Sequence, residues 1–155
     1  MSFLSTLDIS TSALTAQRFR MDIIAQNISN IDTTRTENGE PYRRRLTVFQ
    51  ERGLTSVASG GGATTSFRTA LEREAYKIAG GGVRVEEVIR DESDFVPVYD
   101  PAHPDADEDG YVLMPNVDRA EEIVDLMAAS HSYNANITTI NIIKTMAMKA
   151  AEITK

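Results

Sequence analysis

Three aspartates at alternating positions are the residues of this chain whose types and spacing could bind a metal. The stretch PDADEDGYVLMPN matches positions 1, 3, 5 and 6 of an EF-hand calcium loop at Asp105, Asp107, Asp109 and Gly110. Position 12, where that loop has a bidentate Glu, is Asn116. Three prolines before Asp105, namely Pro97, Pro101 and Pro104, also prevent the entering helix. The pattern favours a solvated acidic turn, and a calcium-binding regulatory module remains the alternative interpretation.

The residues needed for catalysis do not occur in recognisable patterns. The chain has no cysteine, which excludes thiolate catalysis, disulfides and zinc–cysteine sites. His103 lies in a proline-flanked loop, and no G-x-S-x-G motif is present. His131 has Asn134 and Ala135 where a second metal ligand would stand on a helix. The sequence therefore predicts a protein that is not an enzyme and needs no cofactor.

The charge balance limits the classes of partner. The 155 residues include 23 acidic and 16 basic ones, and the resulting net charge of -7 would repel a phosphate backbone, so we expect no nucleic acid partner. No apolar run approaches the roughly 20 residues that a spanning helix needs, which predicts no membrane insertion. Lys and Arg are absent before Arg18, and the N-terminal segment lacks a continuous apolar core. A cleaved secretory signal is therefore not expected.

The N-terminal segment carries a heptad pattern. Apolar residues seven positions apart form one stripe: Leu7, Leu14, Met21 and Ile28. The spacing predicts an amphipathic helix over about residues 5–30, with a length of about 40 Å. We expect this helix to end within residues 27–30, because Asn tolerates the left-handed conformation found after a helix.

The C-terminal segment predicts a second and longer helix. Asp118 and Glu121 have the spacing of a capping box, and no Gly or Pro follows residue 116. Apolar side chains then recur every three or four residues, so the helix could run for about 35 residues and about 50 Å.

The residues between the two helices are β-rich in composition. Strand-like segments occupy residues 42–50, 83–91 and 96–100, and glycine-rich joints occupy residues 56–66 and 80–82. The predicted fold class is α+β, with long N- and C-terminal helices that form a coiled-coil-like pair and a small β-rich middle module. The expected domains are 1–34, 35–115 and 116–155.

The apolar stripes of the two helices are wider than a two-helix hairpin can cover. Such a hairpin would bury about half of each apolar stripe. Repeated copies that pack their stripes against one another would form a continuous helical tube through heterologous contacts. The candidate assembly residues are Leu7, Leu14, Met21, Ile24, Asn27, Ile28, Asn30, Ile31, Ile123, Leu126, Met127, Tyr133, Asn136, Ile137 and Ile140.

Two stretches resemble bacterial flagellar axial proteins. AQNISNIDTT is similar to their Asn-rich N-terminal pattern at Ala25, Asn27, Asn30 and Thr33. The later run is more specific, because it resembles the P-x-H-P-x-A-x-x-x-G-Y-V-x-x-P-N-V segment and the following helix of proximal rod proteins of the FlgC family. Within that helix, His131 replaces the usual Arg.

The resemblance implies a structural subunit of the basal-body rod, the drive shaft that transmits torque across the periplasm. It implies export through the flagellar type III apparatus without signal cleavage. The terminal helices would form an inner tube, with the β-rich middle module packed outside it. Other rod proteins and the export-gate junction protein would be the partners. Another rod protein of the same axial family is a second alternative.

Overall fold

The chain folds into two long terminal helices with short strands between them. The structure, a computed structural model, describes residues 3–52 and 81–153. Along these residues the elements are α1 (Phe3–Ser29), β1 (Arg45–Glu51), β2 (Val83–Arg90), β3 (Val96–Tyr99), β4 (Tyr111–Met114) and α2 (Arg119–Ile153). The predicted α+β class with terminal helices is confirmed.

Both helices begin and end close to the predicted residues. The backbone N–H of Asn30 bonds the Gln26 carbonyl at 3.1 Å, and the Asn30 side chain donates to the same carbonyl at 2.8 Å, which closes the last turn of α1. At the start of α2, Asp118 Oδ1 accepts the backbone N–H of Ala120 at 2.7 Å. Asp118 is therefore the predicted N-cap. Glu121, the other half of the predicted capping box, accepts a hydrogen bond from Arg44.

The strands form two two-stranded sheets, β1–β2 and β3–β4. β3 and β4 are antiparallel, with Val96 opposite Met114 and Tyr99 opposite Tyr111. β4 is not among the predicted strands, because its residues follow the aspartates directly and read as the end of an acidic turn. β1 also begins at Arg45, three residues later than predicted, because the N–H of Arg44 just before it donates to the Asn116 side chain and not to a neighbouring strand.

Some of the predicted features lie outside the described residues, and others are not tested by the structure. The glycine-rich segment 56–66 and Gly80 lie outside the described residues. The domain boundaries at 34 and 115 stay a prediction.

By internal contacts the chain divides into two compact units. Among the described residues, the first unit contains 3–17, 49–52, 81–86 and 132–153, and the second contains 18–48 and 87–131.

The first unit buries only small side chains among its described residues: Ser10, Ser12 and Ala16. Ser12 Oγ donates to the Ile9 carbonyl at 2.7 Å and accepts the backbone N–H of Val83 at 3.0 Å. Gly82 has a φ of 88°, and a Cβ there would collide with Ser12. The strand β2 therefore starts in direct contact with α1, and large apolar side chains contribute little to the described interior of this unit.

The second unit contains most of the buried apolar residues: Ile23, Ile24, Tyr42, Val112, Val117 and Ala129. It also buries three polar side chains, namely Asn27, Arg44 and Glu122. Most buried side chains of the described chain thus lie in this unit, and its polar members need partners inside it.

Two glycines of the second unit provide a matched test of the turn between β3 and β4. Gly110 and Gly39 both have a φ of 81°, but a Cβ would lie 3.0 Å from the Tyr99 ring at Gly110 and would meet nothing within 4 Å at Gly39. We expect Gly39→Ala to cost roughly 1–2 kcal/mol in unfolding free energy from backbone strain alone. Gly110→Ala should cost about 1–3 kcal/mol more through overpacking. Urea unfolding measures both, and equal costs would contradict the close packing at Gly110.

In the part of the chain that the structure describes, neither helix is both long and apolar enough to span a membrane.

Candidate assembly site

Two of the three aspartates in the calcium-like stretch, Asp105 and Asp107, use their carboxylates within the fold. Asp105 accepts a hydrogen bond from Thr34 at 2.9 Å and pairs with Arg35 at 3.4 Å. Asp107 Oδ1 accepts the backbone N–H groups of Asp109 at 3.1 Å and Tyr111 at 2.7 Å. Across residues 3–52 and 81–153, no three His, Asp or Glu side chains form a group suited to a metal ion. The calcium-binding alternative therefore finds no support.

The two histidines lie apart. His103 Nδ1 accepts the backbone N–H of Asp105 at 3.1 Å, so this ring helps to shape the turn. His131 is exposed on α2. Each position is that of an ordinary structural or surface histidine.

Asn27 is the centre of a buried hydrogen-bond network in the second unit. Its side chain is only 1% exposed. Its Nδ2 donates to the Arg45 carbonyl at 2.9 Å and to Glu122 Oε2 at 3.0 Å. Its Oδ1 accepts from the Tyr42 hydroxyl at 2.9 Å and from the Arg45 backbone N–H at 3.0 Å. The amide therefore uses both donors and both acceptor sites.

Arg44 and Glu122 form a buried ion pair next to Asn27. Arg44 Nε donates to Glu122 Oε1 at 2.6 Å, and Glu122 is 1% exposed. The guanidinium also lies 3.1 Å from Glu121 and 3.7 Å from Asp125. Burial alone would lower the pKa of Arg44, but the hydrogen bonds and charges of Glu122 and Glu121 together outweigh it and raise that pKa. One permanent cation thus holds the first two turns of α2.

Tyr42 completes this network, which we call the polar cluster: Asn27, Tyr42, Arg44 and Glu122. Burial raises the pKa of the Tyr42 hydroxyl, which keeps it a hydrogen-bond donor to Asn27. The cluster joins the end of α1, the segment before β1 and the start of α2 within the second unit.

A second asparagine fixes the segment before β1 from the other side. Asn116 Oδ1 accepts the backbone N–H of Arg44 at 2.8 Å, and its Nδ2 donates to Ser93 Oγ at 2.8 Å. The Asp91 backbone N–H reaches the Arg44 carbonyl at 2.8 Å. The Asn116 amide therefore takes the place of a neighbouring strand at the Arg44 N–H.

Asp91 gives this region a predictable response to acid. The Ser93 backbone N–H, 2.9 Å from Asp91 Oδ1, and then the Ser93 hydroxyl hold the pKa of the Asp91 carboxyl below its ordinary value. Its contribution to stability is complete above the unfolded pKa of about 3.9 and is lost as the pH falls through the lower folded pKa. We expect Asp91→Asn to reduce the loss of stability between pH 7 and pH 2, measured by urea unfolding. An identical pH dependence in both proteins would contradict this.

The candidate assembly residues fall into three groups. Ile24 and Asn27 are buried within the chain, so in this conformation they support the fold. The half-buried members are Leu7, Leu14, Met21, Ile28, Asn30, Ile31, Leu126, Tyr133, Asn136 and Ile140. The exposed members are Ile123, Met127 and Ile137.

Four exposed apolar residues of α2 lie outside the set of candidate assembly residues: Val124, Ile142, Met146 and Met148. Val124 is 65% exposed, and so is Met146. At 3.6 residues per turn, these positions lie away from the half-buried stripe that Leu126 and Tyr133 begin. α2 is therefore apolar on several sides, which is typical of a helix covered by neighbours.

A shallow groove lies on the face of α2 that contains Ile142 and Met146, in the first unit, and we call this its outer face. It has a volume of about 440 Å³ and is lined by Thr138, Asn141, Ile142, Thr145, Met146 and Lys149. These residues repeat at intervals of three and four, which is the spacing of a helix–helix packing seam. A second helix is the element that this surface fits.

Comparison with known proteins decides the family. The chain is 45% identical to the flagellar basal-body rod protein FlgC of Bacillus subtilis, over the whole length of both proteins. The chain belongs to the FlgC family of flagellar basal-body rod proteins. It is also 39% identical to FlgC of Borreliella burgdorferi over 99% of this chain and 98% of that protein. FlgC of Escherichia coli O157:H7 is 40% identical, over 96% of each chain.

Family models match the two ends of the chain separately. The model described as "Flagella basal body rod protein" matches residues 7–35, and the model described as "Flagellar basal body rod FlgEFG protein C-terminal" matches residues 108–153. Asn27 lies in the first match and Glu122 in the second. The two residues that meet in the polar cluster thus come from the two matched ends, and the family predicted from the sequence is confirmed.

Proposed function

We propose that this FlgC-family chain is a structural subunit of the flagellar basal-body rod and assembles by packing its terminal helices against those of neighbouring subunits. The observation that carries the proposal is the exposed apolar surface of α2. Seven large apolar side chains of that helix are exposed: Ile123, Val124, Met127, Ile137, Ile142, Met146 and Met148.

The size of this surface favours many shared contacts over one small contact. Full burial of a large apolar side chain is worth about 1.5–3 kcal/mol, so covering the exposed half of seven such groups gives on the order of 7 kcal/mol. Association costs roughly 4–15 kcal/mol in lost freedom. A pair of subunits is then marginal, whereas a subunit with neighbours on several sides is stable. Heterologous contacts of that kind build a tube.

The partners are therefore other subunits of the rod, including copies of this chain. We extend this to the export-gate junction protein at the base of the rod, and to an inner tube built from residues 1–34 and 116–155 with residues 35–115 outside. Transmission of torque across the periplasm follows from that position. The fit of the outer groove of α2 to a second helix supports this arrangement.

Export through the flagellar type III apparatus without cleavage is part of the same proposal. The chain has no cysteine, which suits passage as an unfolded chain into an oxidising compartment. We expect the subunit recovered from purified rods to retain the N-terminal sequence that starts MSFLSTLD, apart from removal of the first Met. Intact-mass spectrometry measures this, and loss of a longer N-terminal segment would contradict uncleaved export.

A photo-crosslinking residue at Ile142 tests the assembly proposal. In cells that build rods, we expect adducts with the mass of two subunits, because a neighbour would cover this face. The same labelled chain in cells that cannot assemble a rod is the control and should give none. Absence of adducts in cells with complete rods would contradict the proposal.

A further inference from the structure

We infer that the polar cluster of Asn27, Tyr42, Arg44 and Glu122 sets the alignment of α1 against the start of α2, and that Asn27 is its main positioning residue. The alignment itself is a property of the single chain. Its consequence for assembly rests on the proposed function, because α2 carries the faces that neighbours would cover.

The apolar stripes of the helices leave their alignment ambiguous. In α1, the stripe that starts at Leu7 repeats every seven residues, and in α2 the stripe that starts at Leu126 does the same through Tyr133, Ile140 and Ala147. Apolar contacts are not directional, so where two such stripes face each other a shift of one heptad, or about 10 Å, places equivalent residues opposite one another again. The stripes alone therefore permit more than one alignment.

The polar cluster removes this ambiguity, because its donors and acceptors match in only one position. Asn27 bonds Glu122 from a distance of 95 residues in sequence, and its other bonds go to Tyr42 and Arg45. A shifted α2 would take Glu122 away from Asn27 and Arg44 together. It would leave the buried Arg44 cation without its Glu122 partner and one N–H of the buried Asn27 amide without an acceptor, which is costly.

The cluster is better suited to specifying an alignment than to adding stability. Removing an arginine and a carboxylate from water costs several kcal/mol for each ion, and apolar residues of similar volume often stabilise a protein as well or better. A buried polar group that fixes helix register at some cost in stability is known from coiled coils. The cluster occupies the corresponding place between two helices with heptad stripes.

The absence of cysteine allows a direct test with two spin labels, at Asp22→Cys and Val124→Cys. Both sites are exposed and both lie in the second unit. With the cluster intact, we expect one narrow distance distribution in the dilute full chain. The apolar variant Asn27→Leu with Arg44→Met and Glu122→Leu should unfold at the same or a higher urea concentration, yet give two or more distances separated by about 5–10 Å. A single narrow distribution in that variant would overturn the inference, and so would its unfolding.

A charge swap distinguishes a positioning role of Asn27 from a general contribution of Asn27 to stability. Asn27→Asp places a second carboxylate against Glu122, so we expect several distances. Asn27→Asp combined with Glu122→Gln moves the negative charge by one hydrogen bond and restores the donor–acceptor match between residues 27 and 122. The Arg45 carbonyl still loses its donor, so the single distance should return at a lower unfolding free energy than that of the unmodified chain. If the combined variant is as disordered as Asn27→Asp alone, Asn27 is not the positioning residue. These distances are measured without assembly, so failure here leaves the Ile142 crosslinking result to test the rod proposal independently.

Discussion

Replacement of Arg44 with Met is expected to lower the free energy of unfolding by about 3–5 kcal/mol, the typical cost of removing one partner from a buried ion pair. Glu122 would keep its charge with 1% of its surface exposed and would lose the 2.6 Å bond from Arg44 Nε. Urea unfolding of the full chain, followed by circular dichroism, measures the loss. This single change should be more damaging than the triple apolar replacement, because the triple variant leaves no charge behind.

Arg45→Met is the matched control. Arg45 contributes to the cluster through its backbone. Among the described residues, its guanidinium makes an exposed 3.4 Å bond to Gln26 and lies 5.6 Å from the centre of the Tyr42 ring. We expect it to cost less than about 1 kcal/mol. If the two arginine variants lost equal stability, the Arg44–Glu122 pair would not have the importance assigned to it.

The second large effect is expected at the outer face of α2. Ile142→Asp combined with Met146→Asp would place two carboxylates in the proposed subunit interface, where each unpaired charge costs several kcal/mol. We expect complete loss of swimming and of assembled rods in cells that carry only this variant. The second unit should remain folded, because neither residue belongs to it. Swimming assays and isolation of basal bodies measure these effects.

The apolar pair Ile142→Leu with Met146→Leu controls for simple disturbance of the helix. Both changes keep the face apolar at similar volume and cost little. Swimming should be retained in this variant. Normal rods and normal swimming in the acidic variant would show that no neighbour covers this part of α2.

The helices could be predicted because their signals are local. The heptad that starts at Leu7 and the cap at Asp118 each lie within a few residues of the structure they produce, and α1 and α2 begin and end close to the predicted positions. The second face of α2 was missed for a related reason. The spacing of apolar residues in α2 indicates a single stripe, whereas Ile142 and Met146 lie outside it.

The polar cluster and β4 could not be predicted in the same way. Asn27 and Glu122 are 95 residues apart, and nothing near either residue indicates its partner. The Asn-rich pattern identified Asn27 as a family residue and a candidate for assembly, but its four hydrogen bonds are all within the chain. β4 has only four residues, and its pairing with β3 is visible only when the turn at Gly110 is known.

The covering of α2 by neighbours is tested most directly by amide hydrogen exchange of residues 132–153, compared between the dilute chain and the assembled rod. We expect rapid exchange in the dilute chain, since the described interior of the first unit contains only small side chains, and slow exchange in the rod. The segment around Ile23 and Ile24, which lies in the core of the second unit, should be protected in both states. Equal and strong protection of residues 132–153 in the dilute chain would show that one chain covers α2 without neighbours, and would contradict assembly through shared helix faces.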